Sequence, residues 1–261
     1  MVGWMGATLS FQPRGLPSRH EPQCPHNTHS HVCSFEDRRG KKPKVGVDIP
    51  TPDEIRVIIA AAKGRWRPVL LTAIFAGLRA SELRGLRWQD IDLKKGELHV
   101  RQRADKFRKI GPPKSEAGER TVPRPLMVVN TLREWRLACP KGELDLAFPN
   151  GKGDVEFHNN VVYCGLWPTL IAAGVIIKTE NGTVVPKHTS LQALRHFYDS
   201  WCINRKADGG LELPLKVVQH RMAHSSINLT ADVYGHLFPR GDDAKELSDA
   251  AAALMLDVTK R

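Results

Sequence analysis

Residues 77–92 read GLRASELRGLRWQDID, and the stretch marks the point where a buried helix stops and chemistry becomes possible. Just upstream, RPVLLTAIFAGL (67–78) is apolar nearly all round, so a helix there is buried on every side. Gly77 breaks it, because glycine alone reaches the left-handed conformation without a steric cost. SELRGLRW then restarts a helix with Ser81 as a candidate N-cap. Arg79 falls in the break, three residues before Glu82. A guanidinium next to a buried helix needs a carboxylate partner, and Glu82 is the nearest one.

Downstream the hydrophobic period changes from about 3.6 to about 2. GELHVRQR (96–103) and ERTVPRP (119–125) alternate like strands, and the basic, proline-containing KFRKIGPPKSEAG (106–118) joins them. This predicts a small antiparallel sheet with Lys114 near its turn. Upstream, IPTPDEIRVIIAAA (49–62) carries a full helix start. Thr51 is the cap, Pro52 suits the first helical position and Glu54 completes a T-x-x-E capping box. Helical spacing returns in PLMVVNTLREWRLA, SLQALRHFYDSWCIN, PLKVVQHRMA, SINLTADVYGHL and DAKELSDAAAALML, separated by glycine- and proline-containing loops such as PNGKGD and KTENGTVVPK. The fold class is therefore mainly α with one small antiparallel β-sheet, α+β, in a domain spanning 49–261.

Residues 1–48 differ in kind. Proline, serine and histidine are frequent, apolar periodicity is absent, and the stretch ends in the basic run DRRGKKPK. It is expected to be a poorly ordered leader. Within it CPHNTHSHVC brings Cys24, His26, His29, His31 and Cys33 close in sequence, but the spacing fits no common zinc pattern. A biased unstructured segment is the preferred reading, and neither metal nor cofactor is expected.

The whole chain has 261 residues, 41% of them hydrophobic, with 39 lysines and arginines against 28 acidic residues, a formal charge of +11. A real core is affordable and a polyanionic partner, nucleic acid first, is favoured. No apolar run reaches the ~18–20 residues of a bilayer span, and MVGWMGATLSF is no secretory signal, so a cytoplasmic protein is expected. Five irregularly spaced cysteines favour reduced thiols.

Taken singly, the chemical candidates have ordinary explanations. Lys114 reads as a solvated charge, Arg195 and His196 as structural residues of an amphipathic helix, His224 as the residue before a capping Ser225–Ser226 pair, and Tyr234 as a packing residue. Their order along the chain is more informative: AGLRASEL, a lysine between two strands, LQALRH, then AHSSINLTADVYGH with a tyrosine ten residues after the histidine.

This series resembles the catalytic domain of the tyrosine recombinases, the phage-integrase family, over roughly residues 51–240. The resemblance implies that Arg79 and Arg195 are the arginine pair on a scissile phosphate, Lys114 the hairpin lysine, His224 the late histidine and Tyr234 the nucleophile. Glu82 would buttress Arg79. It also implies a double-stranded DNA partner, a homotetramer on two duplexes, a covalent 3′-phosphotyrosyl intermediate, and cleavage and rejoining of DNA in a bacterial cytoplasm.

The implied chemistry is sound. Two fixed guanidiniums hold phosphate oxygens bidentately as in-line attack builds charge on them, and a lysine can protonate the leaving 5′ oxygen.

The sequence departs from the family in three places. Gln192 stands where histidine is usual, and glutamine cannot take up a proton, so cleavage slower by on the order of 10² to 10⁴ is expected. His196 points about 100° from Arg195 on an ideal helix and reads as structural, though it or His188 would be the available substitute. RMAHSS has Ala223 where the family commonly has glycine, which predicts about 1 kcal/mol of strain if that residue caps a helix. Finally, the leader offers no recognisable core-binding domain. Two alternatives stay open: a DNA-binding remnant that does not cut, and type IB topoisomerase-like activity. The helix expected at 244–256 would dock on a neighbouring protomer or pack in cis.

Overall fold

The computed structural model describes residues 42–234 and residue 248. The segment CPHNTHSHVC, the leader through residue 41, and the helix expected at 244–256 (except residue 248) lie outside the described residues.

The fold starts where the capping box puts it. In α1 (Pro52–Ala61) the Glu54 amide donates to Thr51 Oγ1 at 3.2 Å and the Thr51 amide donates to Glu54 Oε2 at 2.8 Å. Helix α2 (Trp66–Ala76) follows, with Val69, Leu70, Leu71, Ala73, Ile74 and Ala76 all buried. It is the central rod of the domain and ends at Gly77, whose φ of +57° lies in the left-handed region. A Cβ at Gly77 would sit 2.4 Å from Tyr198 Cδ1, so close packing as well as φ requires glycine there.

The short α3 (Ala80–Arg84) comes next. Its N-cap is Arg79, not Ser81, because the Glu82 carboxylate reaches back to the Arg79 amide at 2.9 Å.

Strands β1 (Ile91–Asp92), β2 (Glu97–Val100) and β5 (Arg120–Pro123) form an antiparallel sheet in the order β1–β2–β5. Leu98 is opposite Val122, and both are fully buried. The expected single sheet is in fact divided. The connection between β2 and β5 holds a separate hairpin, β3 (Arg103–Ala104) against β4 (Ile110–Gly111).

Helix α4 (Leu126–Ala138) then packs on α2. A helical segment that the sequence pattern did not predict follows: α5 (His158–Asn160), a wider π-helical stretch over Val161–Leu166, and α6 (Trp167–Ala172). Pro168 has no N–H to give an α-helical ladder, and Gly165 lies against the Trp66 ring, where a Cβ would meet Cε3 at 2.8 Å.

The loop expected at 178–187 is largely a hairpin, β6 (Ile176–Lys178) with β7 (Val184–Pro186). Its turn contains Asn181–Gly182, and Gly182 has φ +74°. Helices α7 (Leu191–Ile203), α8 (Leu215–Met222) and α9 (Ile227–Tyr234) complete the described chain.

α7 packs on α2 on one side and on α8 on the other. A second apolar cluster, built from Val122, Tyr198, Cys202, Val218, Met222 and Tyr234, fixes α8 and α9 against α7 and β5. Among the described residues Cys139 and Cys202 are free thiols. Among the described residues no helix is long and apolar enough to cross a membrane, and no group of three His, Cys, Asp or Glu residues is placed to hold a metal.

Candidate active site

Two arginines from distant parts of the chain are anchored on consecutive carbonyls of one turn. Arg79, at the start of α3, donates from Nη2 to the Ala223 carbonyl at 2.9 Å. Arg195, in the middle of α7, donates from Nη2 to the Met222 carbonyl and from Nη1 to the Gly77 carbonyl. The break after α2 and the end of α8 thus supply the carbonyls that orient both guanidiniums, and each keeps part of its donor fork for another acceptor. Arg79 is the accessible member, with a third of its side chain exposed (32%), whereas Arg195 is buried. Burial, reinforced by the nearby Arg79 charge, lowers the Arg195 pKa to about 10, which still leaves it charged at neutral pH.

Glu82 binds the cluster from below. Its Oε1 accepts from Arg79 Nη1 at 2.8 Å and its Oε2 accepts from Arg120 Nη2 at 2.8 Å. Burial alone would raise the Glu82 pKa, but the combined charge and hydrogen bonds of Arg120 and Arg79 hold it below the usual carboxylate range. Arg120 is a member that sequence reasoning missed. It donates from Nε to the Arg221 carbonyl at 2.7 Å and from Nη1 to the Gly118 carbonyl at 3.0 Å. The signal was its place on β5: in the strand RTVP it shares the inward register with Val122, and a charge there demands a buried partner.

The turn 222–224 exists because Ala223 takes the left-handed conformation, φ 51° and ψ 44°, as the C-cap of α8. The strained cap expected at this alanine is present. Directly after it comes His224, whose Nδ1 is hydrogen-bonded to Thr230 Oγ1 at 2.8 Å and whose Nε2 faces Asp199 at 3.8 Å. Burial and then the Arg195 and Arg79 charges lower its pKa to about 4, so its imidazole is neutral at physiological pH.

Tyr234 stacks on His224, with ring centroids 6.2 Å apart and planes within 8°. Its hydroxyl lies 2.5 Å from His196 Nδ1. His196, which helix geometry alone points away from Arg195, is thus a direct hydrogen-bond partner of the tyrosine, one helical position after Arg195. Asp199 also borders the phenol, and sequence reasoning missed it; the legible signal was an acidic residue on the apolar face of α7, one turn beyond Arg195. Tyr234 itself is only 2% exposed. Burial and the Asp199 carboxylate push its pKa up, while Arg195 pulls the other way.

Two expected members stand apart from this cluster. Gln192, also on α7, is exposed. Lys114 is exposed on the connection between β4 and β5, but the base of that connection is tied to the cluster through Gly118 and Arg120. His188 is occupied elsewhere: it is buried, and its Nε2 lies 3.4 Å from Glu54 Oε2.

The phage integrase family profile matches residues 50–240, nearly the whole described region. The chain belongs to the phage integrase family. An XerC-like tyrosine recombinase of Caldanaerobacter subterraneus subsp. tengcongensis is 32% identical over 216 residues, covering 76% of this chain and 53% of that protein. Prophage integrase IntR of Escherichia coli strain K12 is 32% identical over 106 residues, 41% of this chain and 24% of its own. The chain thus spans about half the length, or less, of these relatives.

The same fold occurs in the Tn1549 transposon integrase, solved with transposon right end DNA. Its TM-score is 0.60 at 20% identity, over 81% of this chain and 67% of that one. XerA recombinase matches with a TM-score of 0.54 at 18% identity, over 81% and 66%. The integrase fold accounts for how residues 79, 195, 224 and 234 converge: α2, α7 and the α8–α9 turn meet at one point, each helix contributing a terminus or one side.

Proposed function

We propose that this integrase-family chain cleaves and rejoins double-stranded DNA through a covalent 3′-phosphotyrosyl intermediate on Tyr234. The observation that carries the reading is the anchoring of Arg79 and Arg195 on the adjacent Ala223 and Met222 carbonyls, with His224 and the stacked Tyr234 immediately beyond. Two guanidiniums fixed side by side suit a phosphodiester whose non-bridging oxygens gain charge during in-line attack, and His224 adds a donor. Tyr234 Oη bonds to phosphorus, the P–O5′ bond breaks, and Lys114 gives the 5′ oxygen its proton. Rejoining reverses each transfer, and the tyrosyl ester conserves the bond energy, so no ATP is consumed.

Double-stranded DNA is the partner under this reading, in keeping with the +11 formal charge. Exchange between two duplexes requires four strand cuts, and each covalent link occupies one tyrosine, so a homotetramer is the working assembly. The place of action is the bacterial cytoplasm.

One observation favours a second reading, a DNA binder that does not cut. Tyr234 is covered, at 2% exposure, and its hydroxyl faces inward to His196. Cleavage requires α9 to move the phenol toward Arg79. Trapping with a nicked duplex whose cleaved fragment diffuses away separates the two. The cleaving enzyme gives a covalent adduct that Tyr234→Phe abolishes while DNA binding persists, and a mere binder gives none.

A further inference from the structure

Asp199 is the one acidic side chain in the cluster without a basic partner in hydrogen-bonding contact. It is fully buried, at 0% exposure, and neither carboxylate oxygen makes a hydrogen bond of good geometry. A buried, unpaired carboxylate is costly, and such a group in a native fold asks for a reason. Its surroundings supply one. On its own helix it is faced by Arg195 and Cys202, from the α8–α9 turn by His224, and from α9 by the Tyr234 hydroxyl.

We propose that Asp199 accepts the phenolic proton of Tyr234 when the tyrosine attacks DNA, a role that rests on reading Tyr234 as the nucleophile.

Three features of the site support this. Beside the phenolic hydroxyl stand His196 Nδ1, at 2.5 Å, and the Asp199 carboxylate, while His224 covers the ring. A neutral imidazole carrying its proton on Nδ1 donates to the phenolic oxygen, which turns the O–H toward Asp199 and steadies the oxygen as it loses the proton. Next, transfer from phenol to carboxylate moves charge without creating any. The pair holds one negative charge before and after, so the buried site never carries a phenolate beside an ionised carboxylate. Last, Arg195 is four residues before Asp199 on α7, one turn away. The proton acceptor and one of the two arginines therefore lie on one face of the same helix, a turn apart.

The step balances. The O–H bond of Tyr234 breaks and its proton joins a carboxylate oxygen of Asp199; the phenolic oxygen pair forms the bond to phosphorus and the P–O5′ pair leaves on the 5′ oxygen. On rejoining, Asp199 returns the proton to the departing phenolate. Gln192, exposed on the same helix, cannot perform this exchange, and Asp199 supplies what that position lacks.

The test compares the natural chain with Asp199→Asn on a pool of random-sequence duplexes carrying a 5′-bridging phosphorothiolate. The sulfur leaves without a proton, so the rate of adduct formation reports activation of the phenol and is independent of Lys114. The natural chain should gain rate as pH rises from 5 to 8, and Asp199→Asn should be slower by on the order of 10²-fold at pH 7 with a flat profile. In parallel, the phenolate absorbance of Tyr234, taken by difference from Tyr234→Phe, should appear at lower pH in Asp199→Asn than in the natural chain.

An adduct that forms at the same rate and pH dependence in Asp199→Asn overturns the proton role alone. So does an unchanged Tyr234 titration. If the natural chain forms no adduct although the titrations are coupled, the nucleophile reading fails and the proton role falls with it.

Discussion

The hydroxyl of Tyr234 lies 2.5 Å from Nδ1 of His196, a residue on the neighbouring helix α7 and next in sequence to Arg195. Burial, then the Arg195 charge, lowers the His196 pKa to about 4, so the ring is neutral and offers one donor and one acceptor. Replacing His196 by alanine leaves the buried hydroxyl short of a partner. We expect a loss of about 1–3 kcal/mol in urea unfolding, together with greater reactivity of Tyr234 toward phenol-modifying reagents.

Glu82 holds two guanidiniums at once, those of Arg79 and Arg120. Glu82→Ala leaves the buried Arg120 without its counter-ion and should cost about 3–5 kcal/mol, read as a lower urea midpoint. The sign of the pH effect follows from the depressed folded-state pKa of Glu82. Its contribution is complete above the unfolded carboxylate pKa and is lost as pH falls through the depressed value, so natural and Glu82→Gln chains should converge in stability in acid.

Ala223 sits at φ 51°, where a Cβ is strained and glycine is not. Ala223→Gly should stabilise the fold by about 0.5–1 kcal/mol, a rise of roughly 1–4 °C in thermal midpoint for a domain this size. The Met222 and Ala223 carbonyls keep their places in that variant, so DNA affinity should be unchanged.

Burial raises the pKa of Asp199 to about 7, the reverse of Glu82. Between the unfolded carboxylate pKa and about 7 the folded chain holds the extra proton, so this residue costs stability progressively as pH rises through that window and fully above it. Asp199→Asn should therefore be the more stable chain at pH 8, by on the order of a few kcal/mol, with the advantage shrinking to nothing near pH 4. Matched urea titrations at the two pH values check this. The same result shows that a slow Asp199→Asn enzyme is folded.

Much of this was legible in local sequence. Thr51 and Glu54 announced α1, Gly77 announced the break before Arg79, and alternation over 96–103 and 119–125 announced the main strand pair. The β6–β7 hairpin is equally legible, since Asn181–Gly182 between two apolar β-branched runs is a strong hairpin signal, although the glycine and proline of KTENGTVVPK by themselves suggest only a loop. The segment 158–172 was hidden because Gly165 and Pro168 are helix breakers by propensity, and packing against Trp66 with a local π-helical widening overrode them.

Within the site, order along the chain pointed to Arg79, Glu82, Arg195, His224 and Tyr234, which the fold does gather. It could not show that Gln192 is exposed and that His196 is the residue touching the phenol, because α9 approaches α7 from a direction set by the cluster of Tyr198, Val218 and Met222. Arg120 and Asp199 escaped for a shared reason. A single charge on an apolar face looks like an imperfection in the pattern until the partner that surrounds it is known.

Cleavage by this chain stands or falls on Tyr234 becoming joined to DNA. Trapping the natural chain on a nicked duplex, digesting the adduct with protease and nuclease, and sequencing the modified peptide by mass spectrometry tests it most directly. A nucleotide 3′-phosphate is expected on Tyr234, within the peptide that follows His224. A DNA-linked residue other than Tyr234, or no covalent peptide from a chain that binds the duplex, would contradict it.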